Sequence, residues 1–228
     1  VSTPEPNRSA HDAAAGTTGA RSKAHFSAAA RDWDGKPDRA ARVARFLEAI
    51  REAVPLAKGT RVFEYGAATG ALALALAPEV RSVVAADAAA GMIEVLEEKL
   101  TGRAAPNVTP LRIDLAEEPA PEVRCDLVLS VMTLHHVPDV PGALRAFRTL
   151  LVPGGWLCIL DLDAEDGSFH PAHEIVAHHG FDRARLETQV ADAGFRDVRH
   201  EIVHHIERTV ESGETRAFPA FRLTARRP

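Results

Sequence analysis

Five short apolar runs constrain this chain most: residues 61–65, 80–86, 108–113, 125–131 and 156–162. Each is apolar along its length rather than alternating, as strands buried on both faces should be. Segments with helical spacing separate them. Val43, Phe46, Leu47 and Ile50 share one face of a helix that Pro37 and Asp38 open and that runs to about residue 54. Leu72, Leu74 and Leu76 carry a second helix to Ala77, where Pro78 stops it. Met92, Ile93, Leu96 and Leu100 stripe a third over 89–100, which Gly102 ends, and Leu144, Phe147, Leu150 and Leu151 a fourth over 140–151. Pro153-Gly154-Gly155 forms a turn before the fifth run. Strands alternating with helices predict an α/β fold, a doubly wound Rossmann-like sheet. Residues 163–180 lack periodicity and read as a long loop. Asp182 can N-cap a helix to residue 193, with Gly194 as terminator. The last two strands, 198–209 and 216–225, are joined too briefly for a crossover helix. They must form an antiparallel C-terminal edge hairpin, which completes a mostly parallel sheet of seven strands.

The 228 residues suit one large domain, and an apolar content of 46% suffices for its core. Residues 1–24 are rich in small and polar residues without apolar period, which predicts a disordered tail. A single domain is expected over 25–228. Residues 25–58 would be a helical arm or lid, 60–162 the cofactor-binding core, and 163–228 the substrate loop, last helix and hairpin. Trp33 either docks the arm or covers the ligand. Cys125 and Cys158 lie in apolar runs and read as buried thiols. No stretch nears the ~18 apolar residues of a membrane span, and the opening residues lack the apolar core of a secretion signal. A cytoplasmic setting is therefore expected, as a monomer or a homodimer. The net charge of -5 gives no footprint for nucleic acid.

The first run leads into Gly66-Ala67-Ala68-Thr69-Gly70, a tight turn before a helix. Small residues there let backbone approach a bulky ligand, and free N–H groups at the helix start can meet its polar parts. A dinucleotide fingerprint wants glycines at 66, 68 and 71, where the chain has Gly66, Ala68 and Ala71. The alternative small-x-small-x-Gly spacing is met by Gly66, Ala68 and Gly70. An alanine at 68 implies negative φ there.

That spacing, with Glu64 two residues before the first glycine, resembles the first motif of class I S-adenosylmethionine-dependent methyltransferases. Asp87-Ala88-Ala89-Ala90-Gly91-Met92 resembles the acidic end of that family's second strand. Ile113-Asp114-Leu115 is similar to its adenine-binding step. Cys125-Asp126-Leu127-Val128-Leu129-Ser130 with Leu134-His135-His136-Val137 resembles its fourth-strand motif, and Leu150-Leu151-Val152-Pro153-Gly154-Gly155 the turn before its fifth strand. The resemblance covers about residues 60–161. It implies S-adenosylmethionine as cofactor, with contacts at Glu64, Gly66, Ala67, Ala68, Gly70, Asp87, Ala88, Met92, Asp114, Leu115, Ser130, Val131 and His135. Within that set Gly66 and Gly70 would admit the methionine part, and Glu64 would order its ammonium. Asp87 would accept two ribose hydroxyls. Asp114 would accept from the adenine amino group while the Leu115 N–H donates to the ring. The Ser130 carbonyl would face the ammonium, and Met92 would pack under the adenine.

Methyl transfer displaces a sulfonium, so the protein mainly positions, desolvates and sometimes removes a proton. Eleven histidines are present, several of them after the fourth and fifth strands. His170 and His179 are candidate bases, with Asp163, Glu165 or Asp166 to orient them, and His136 is a third candidate. His170 and His173 are three apart, which matches no ligand pattern well, so no metal is expected. No Asp-Pro-Pro-Tyr-like motif follows the fourth strand; residues 130–133 read Ser-Val-Met-Thr. A small-molecule acceptor, methylated on O, N or S, is expected. A non-methylating or inactive S-adenosylmethionine-binding protein on the same fold, and a nicotinamide oxidoreductase, are the alternatives.

Overall fold

The computed structural model describes residues 8–35, 39–102, 105–171, 174 and 176–228, with side chains from residue 19. Seven strands form one sheet in the order β3-β2-β1-β4-β5-β7-β6. They are β1 Arg61–Tyr65, β2 Ser82–Asp87, β3 Val108–Arg112, β4 Cys125–Val131, β5 Leu151–Leu162, β6 Arg196–Thr209 and β7 Thr215–Arg226. The first five are parallel, and β7 runs antiparallel between β5 and β6. The hairpin is thus where the sequence places it, with its second strand on the inside. The glycine turn at 153–155 lies within β5, as an irregularity between the pairs Cys125↔Leu151 and Leu127↔Trp156.

The helices are α1 Arg8–Ala29, α2 Arg39–Ala53, α3 Ala71–Leu76, α4 Ala90–Thr101, α5 Val140–Leu150 and α6 Arg183–Asp192. Phe46, Ile50, Leu72, Leu76 and Leu96 pack on one face of the sheet. Leu144, Phe147, Leu150, Leu186 and Val190 pack on the other. Asp139 caps α5 by accepting from Gly142 N at 2.9 Å, and Asp182 caps α6 from Arg185 N at 2.8 Å. Both cysteines are buried and free. Among the described residues no helix is long and apolar enough to cross a membrane. Strand order reverses between β1 and β4, so a crevice opens at their carboxyl ends, where such sheets bind ligands.

The amino-terminal segment departs from expectation. Where composition predicts a disordered tail to residue 24, the chain is helical from Arg8, and its last turns dock on α4. The docking depends on Gly91: a Cβ there would lie 2.5 Å from the Ser27 carbonyl oxygen. Gly91 N donates to Ser27 Oγ at 3.3 Å, and Arg31 pairs with Glu98 at 3.0 Å. Phe26 and Trp33 pack against Ala30, Ala89 and Met92. Asp34 then pins the chain after α1, accepting from Thr69 Oγ1 at 2.6 Å and pairing with Lys99. These contacts join distant segments, so α1 carries no apolar stripe of its own to betray it.

Gly91→Ala is expected to overpack this contact by about 1–3 kcal/mol. Limited proteolysis should then cut residues 19–33 faster while circular dichroism shows the sheet intact. An unchanged cleavage rate would mean that α1 is not held by this approach.

Candidate functional site

The loop after β1 is wired to β2. Gly66 N and Ala67 N both donate to the Ala86 carbonyl, at 2.8 and 2.9 Å. Asp87, at the end of β2, accepts from Ala68 N through Oδ2 at 2.8 Å and from Ala89 N through Oδ1 at 2.9 Å. Ala68 has φ +48°, against the negative φ that an alanine implies. Its hydrogen bond to Asp87 aims the N–H inward and fixes this left-handed turn. The glycines have packing roles besides. A Cβ on Gly66 would lie 2.1 Å from Thr133 Oγ1, and one on Gly70 would lie 2.3 Å from Leu96 Cδ1. Gly70 therefore serves the contact of α3 with α4, and its φ of +80° starts α3.

A cavity of about 440 Å³ opens between α1 and the carboxyl ends of β1 and β2. Phe26, Asp87, Ala88, Met92, Asp114 and His136 are among its lining residues. A smaller lobe of about 110 Å³ lies beyond the loop, walled by Glu64, Ala67, Val131 and Arg39. Gly66, Ala68, Trp33 and Met132 border both. Trp33 thus both docks the arm and walls the cavity. The two lobes together suit a ligand of nucleoside size with a polar tail.

The polar groups differ along this space. Glu64 is 3% exposed, and its Oε2 has no hydrogen-bond partner among the described residues. Burial, with Asp87 nearby, pushes its carboxyl up to about 8, against the pull of the Ala73 N–H. Burial of Arg39, helped by the charge of Arg42, lowers its guanidinium to about 10. That guanidinium stacks 3.6 Å from the centre of the Trp33 ring. Burial also raises Asp87, although the N–H groups of Ala89, Ala68 and Ala88 oppose it. Asp114 is held by Lys23 of α1, with Nζ 2.7 Å from Oδ2, and Lys23 also reaches Glu117 at 3.0 Å. Lys23 had no signal in the sequence, because its partner lies 91 residues away.

Four expected cofactor contacts lie outside the lining of both lobes: Leu115, Ser130, Gly70 and His135. The Leu115 N–H meets the Tyr65 hydroxyl, and Leu115 is not in the lining. Ser130 is buried within β4 behind the lining, and its Oγ lacks a hydrogen-bond partner among the described residues. Gly70 lies outside both lobes.

The histidines separate into groups. His135 and His136 sit on a 3-10 turn, Leu134–His136, after β4. His135 is 1% exposed, and its Nδ1 lies 2.6 Å from Asp161 Oδ1 on β5. His170 Nδ1 lies 2.7 Å from Glu174 Oε2. The ring centres are 4.1 Å apart for His135 and His136, 5.0 Å for His135 and His170, and 5.3 Å for His136 and His170. Desolvation keeps His170 below its ordinary value despite Glu174. Of the three, His136 borders the cavity, its ring centre 4.8 Å from that of Phe26 in a T-shaped contact.

His179 is not brought to this cluster. Its side chain is 59% exposed, 3.5 Å from Glu165 and over Gly167. The carboxylates expected to orient a base serve other partners. Asp163 accepts from Arg183, Asp166 from Ser168 and Arg216, and Glu165 from the N–H groups of Gly167 and Phe169. Asp161 and Glu174 hold the histidines instead. His173 lies outside the described residues.

A family model described as a methyltransferase domain matches residues 37–206, most of the chain. The chain belongs to the class I S-adenosylmethionine-dependent methyltransferases. Over 151 residues this methyltransferase domain is 34% identical to a ubiquinone biosynthesis O-methyltransferase of Bordetella avium, covering 63% of this chain and 61% of that protein. A protein of the same name from Albidiferax ferrireducens is 31% identical over 127 residues, covering 54% and 49%. The solved structure of a SAM dependent methyltransferase from Aquifex aeolicus superposes with a TM-score of 0.65 at 20% identity, covering 88% of this chain and 97% of that one. The curated relatives are matched over 46% to 61% of their own length. Membership of this family decides the cofactor that the loop alone left open, in favour of S-adenosylmethionine over a dinucleotide.

Two outcomes test this geometry. Ala68→Gly should stabilise the protein by about 1 kcal/mol, since glycine adopts positive φ without the Cβ penalty. Urea unfolding checks it, and a lower midpoint would contradict the strained turn. Glu64 makes the cofactor-free protein pH-sensitive. Its folded carboxyl, near 8, lies above its ordinary 4.5, so between these values the folded state holds a proton that the unfolded chain has lost. That stability is fully present below the lower value and is lost as pH rises through the upper one. Glu64→Gln should therefore unfold at nearly the same urea concentration as wild type near about pH 5 and gain on it by about pH 9. A constant difference across that range would place the titrating group elsewhere.

Proposed function

We propose that this chain transfers the methyl group of S-adenosylmethionine to a nucleophile, foremost an oxygen, of a small organic molecule. The observation that carries the reading is the distribution of groups over two adjoining lobes that share Trp33, Gly66, Ala68 and Met132: Asp114, Asp87 and His136 line the large lobe, and Glu64 the small one. S-adenosylmethionine supplies an electrophilic methyl on a sulfonium. Asp87 keeps acceptor capacity for ribose hydroxyls beside its bonds from Ala68 N and Ala89 N. Met92 packs under the adenine, and Asp114 lies at its far edge beside Lys23. Glu64 and Arg39, both costly to bury, would meet the ammonium and carboxylate of the methionine end. Opposite charges arriving together favour the ionised form of Glu64.

Phe26, Trp33, Val137 and Pro138 give the acceptor end an aromatic and apolar wall, with His136 as its polar group. That wall suits a small, partly aromatic molecule and excludes water from the transfer. The O-methyltransferase names of the relatives support oxygen as the nucleophile. The net charge of -5 favours no polyanion.

Isothermal calorimetry should show binding of S-adenosylmethionine and S-adenosylhomocysteine and none of NADH. Asp87→Asn should weaken both by roughly tenfold or more, the scale of losing one hydrogen bond to a charged group. In a transfer screen over phenols, thiols, amines and carboxylates, His136→Ala should lower turnover while cofactor affinity holds. NADH binding without sulfonium binding would overturn the proposal.

A further inference from the structure

We propose that His135, His136 and His170 form a binding site for one divalent transition-metal ion, of zinc type, at the acceptor end of the cavity. One ring nitrogen from each lies within 4.8 Å of the other two. The turn after β4 supplies two of the three and the loop after β5 the third, so no sequence spacing announces the set.

Each buried ring is aimed by a carboxylate. Asp161 takes His135 Nδ1 at 2.6 Å, and Glu174 takes His170 Nδ1 at 2.7 Å. A carboxylate that accepts from Nδ1–H fixes the tautomer, leaving Nε2 with a lone pair and no proton. This carboxylate–histidine arrangement is the one that orients metal-ligating imidazoles. His170 Nε2 is the second observation. It is buried, on a side chain only 9% exposed, and has no hydrogen-bond partner among the described residues. A buried lone pair left unmatched is costly, and a metal ion satisfies it.

The scaffold is held before any ion arrives. Asp161 Oδ1 also accepts from Leu162 N at 2.8 Å, and the His135 carbonyl accepts from Ala177 N and His178 N, both at 2.9 Å. His178 Nε2 reaches the Val137 carbonyl at 3.0 Å. The loop that carries His170 is thus tied to the turn that carries the other two. Charge also balances: three neutral imidazoles leave the ion its two positive charges, and Asp161 and Glu174 lie directly behind the ligands. Three imidazoles suit zinc, cobalt, nickel or iron and not magnesium or calcium, which prefer oxygen. Because His136 lines the cavity, the remaining coordination position faces it. If the methyltransferase reading holds, an acceptor hydroxyl can ligate there, where the ion lowers its pKa and its proton passes to water. The metal site itself does not depend on that reading.

The test uses the untagged full chain, stripped with chelator, loaded with zinc and dialysed against metal-free buffer. Elemental analysis should find about one zinc per wild-type chain, and cobalt loading should give the visible absorption of a low-coordinate nitrogen site. His170→Ala should lose the ion. Glu174→Gln, which keeps all three ligands, should bind zinc roughly 10- to 100-fold more weakly. His179→Ala, outside the cluster, should match wild type. The site is overturned if wild type retains no more zinc than His170→Ala, or if His179→Ala loses as much, with circular dichroism confirming folded protein throughout. Calorimetry with S-adenosylhomocysteine on the same preparation separates the two readings. Nucleoside binding without zinc leaves the methyltransferase reading standing and overturns the site, whereas zinc without nucleoside binding does the reverse.

Discussion

The carboxylate of Asp87 is the joint on which the cavity depends. Its two oxygens take the N–H of Ala68 and of Ala89, and so tie the loop after β1 to the start of α4. The first bond fixes an alanine at positive φ. The second sets where α4 begins, and therefore where Met92 and Gly91 lie. Gly91 in turn seats α1, and α1 delivers Lys23 and Phe26 to the cavity. One strand-end carboxylate thus positions the floor, the wall and the cover of the site.

The same device recurs across the sheet with different partners. Glu64 on β1, Asp87 on β2, Asp114 after β3 and Asp161 on β5 are acids near the carboxyl ends of parallel strands. A buried carboxylate must be hydrogen-bonded, paired or neutral. Asp87 is bonded by backbone, Asp114 by Lys23, and Asp161 Oδ1 by His135 and Leu162 N. Glu64 Oε2 and Asp161 Oδ2 are both buried without a hydrogen-bond partner among the described residues, and burial beside Asp87 pushes the Glu64 carboxyl up to about 8. Of these two, Glu64 walls the small lobe, while Asp87 and Asp114 line the large one.

Local patterns made the sheet legible. Apolar runs buried on both faces, helix stripes, the two aspartate caps and the short link between β6 and β7 each carry their meaning within a dozen residues. The loop was legible as a ligand loop, but the duties of its glycines were not. Gly70 answers to Leu96 and Gly66 to Thr133, contacts that exist only after folding. The helix α1 was illegible for the same reason, since Lys23–Asp114 and Ser27–Gly91 replace the apolar stripe that periodicity detects. Among eleven histidines the sequence could not say which three meet, because the answer lies in Asp161 and Glu174 and in the pairing of β4 with β5. His179 and the carboxylates beside it turn to the loop's own backbone and arginines.

The central claim is that two adjoining lobes orient a nucleoside sulfonium between Asp87 and Glu64. A crystal structure of the chain grown with S-adenosylhomocysteine tests it most directly. The account predicts both ribose hydroxyls on the Asp87 carboxylate, the amino group of the homocysteine end within hydrogen-bond reach of Glu64, and the sulfur facing His136. A ligand bound in the reverse sense, or with its ribose away from Asp87, would contradict it.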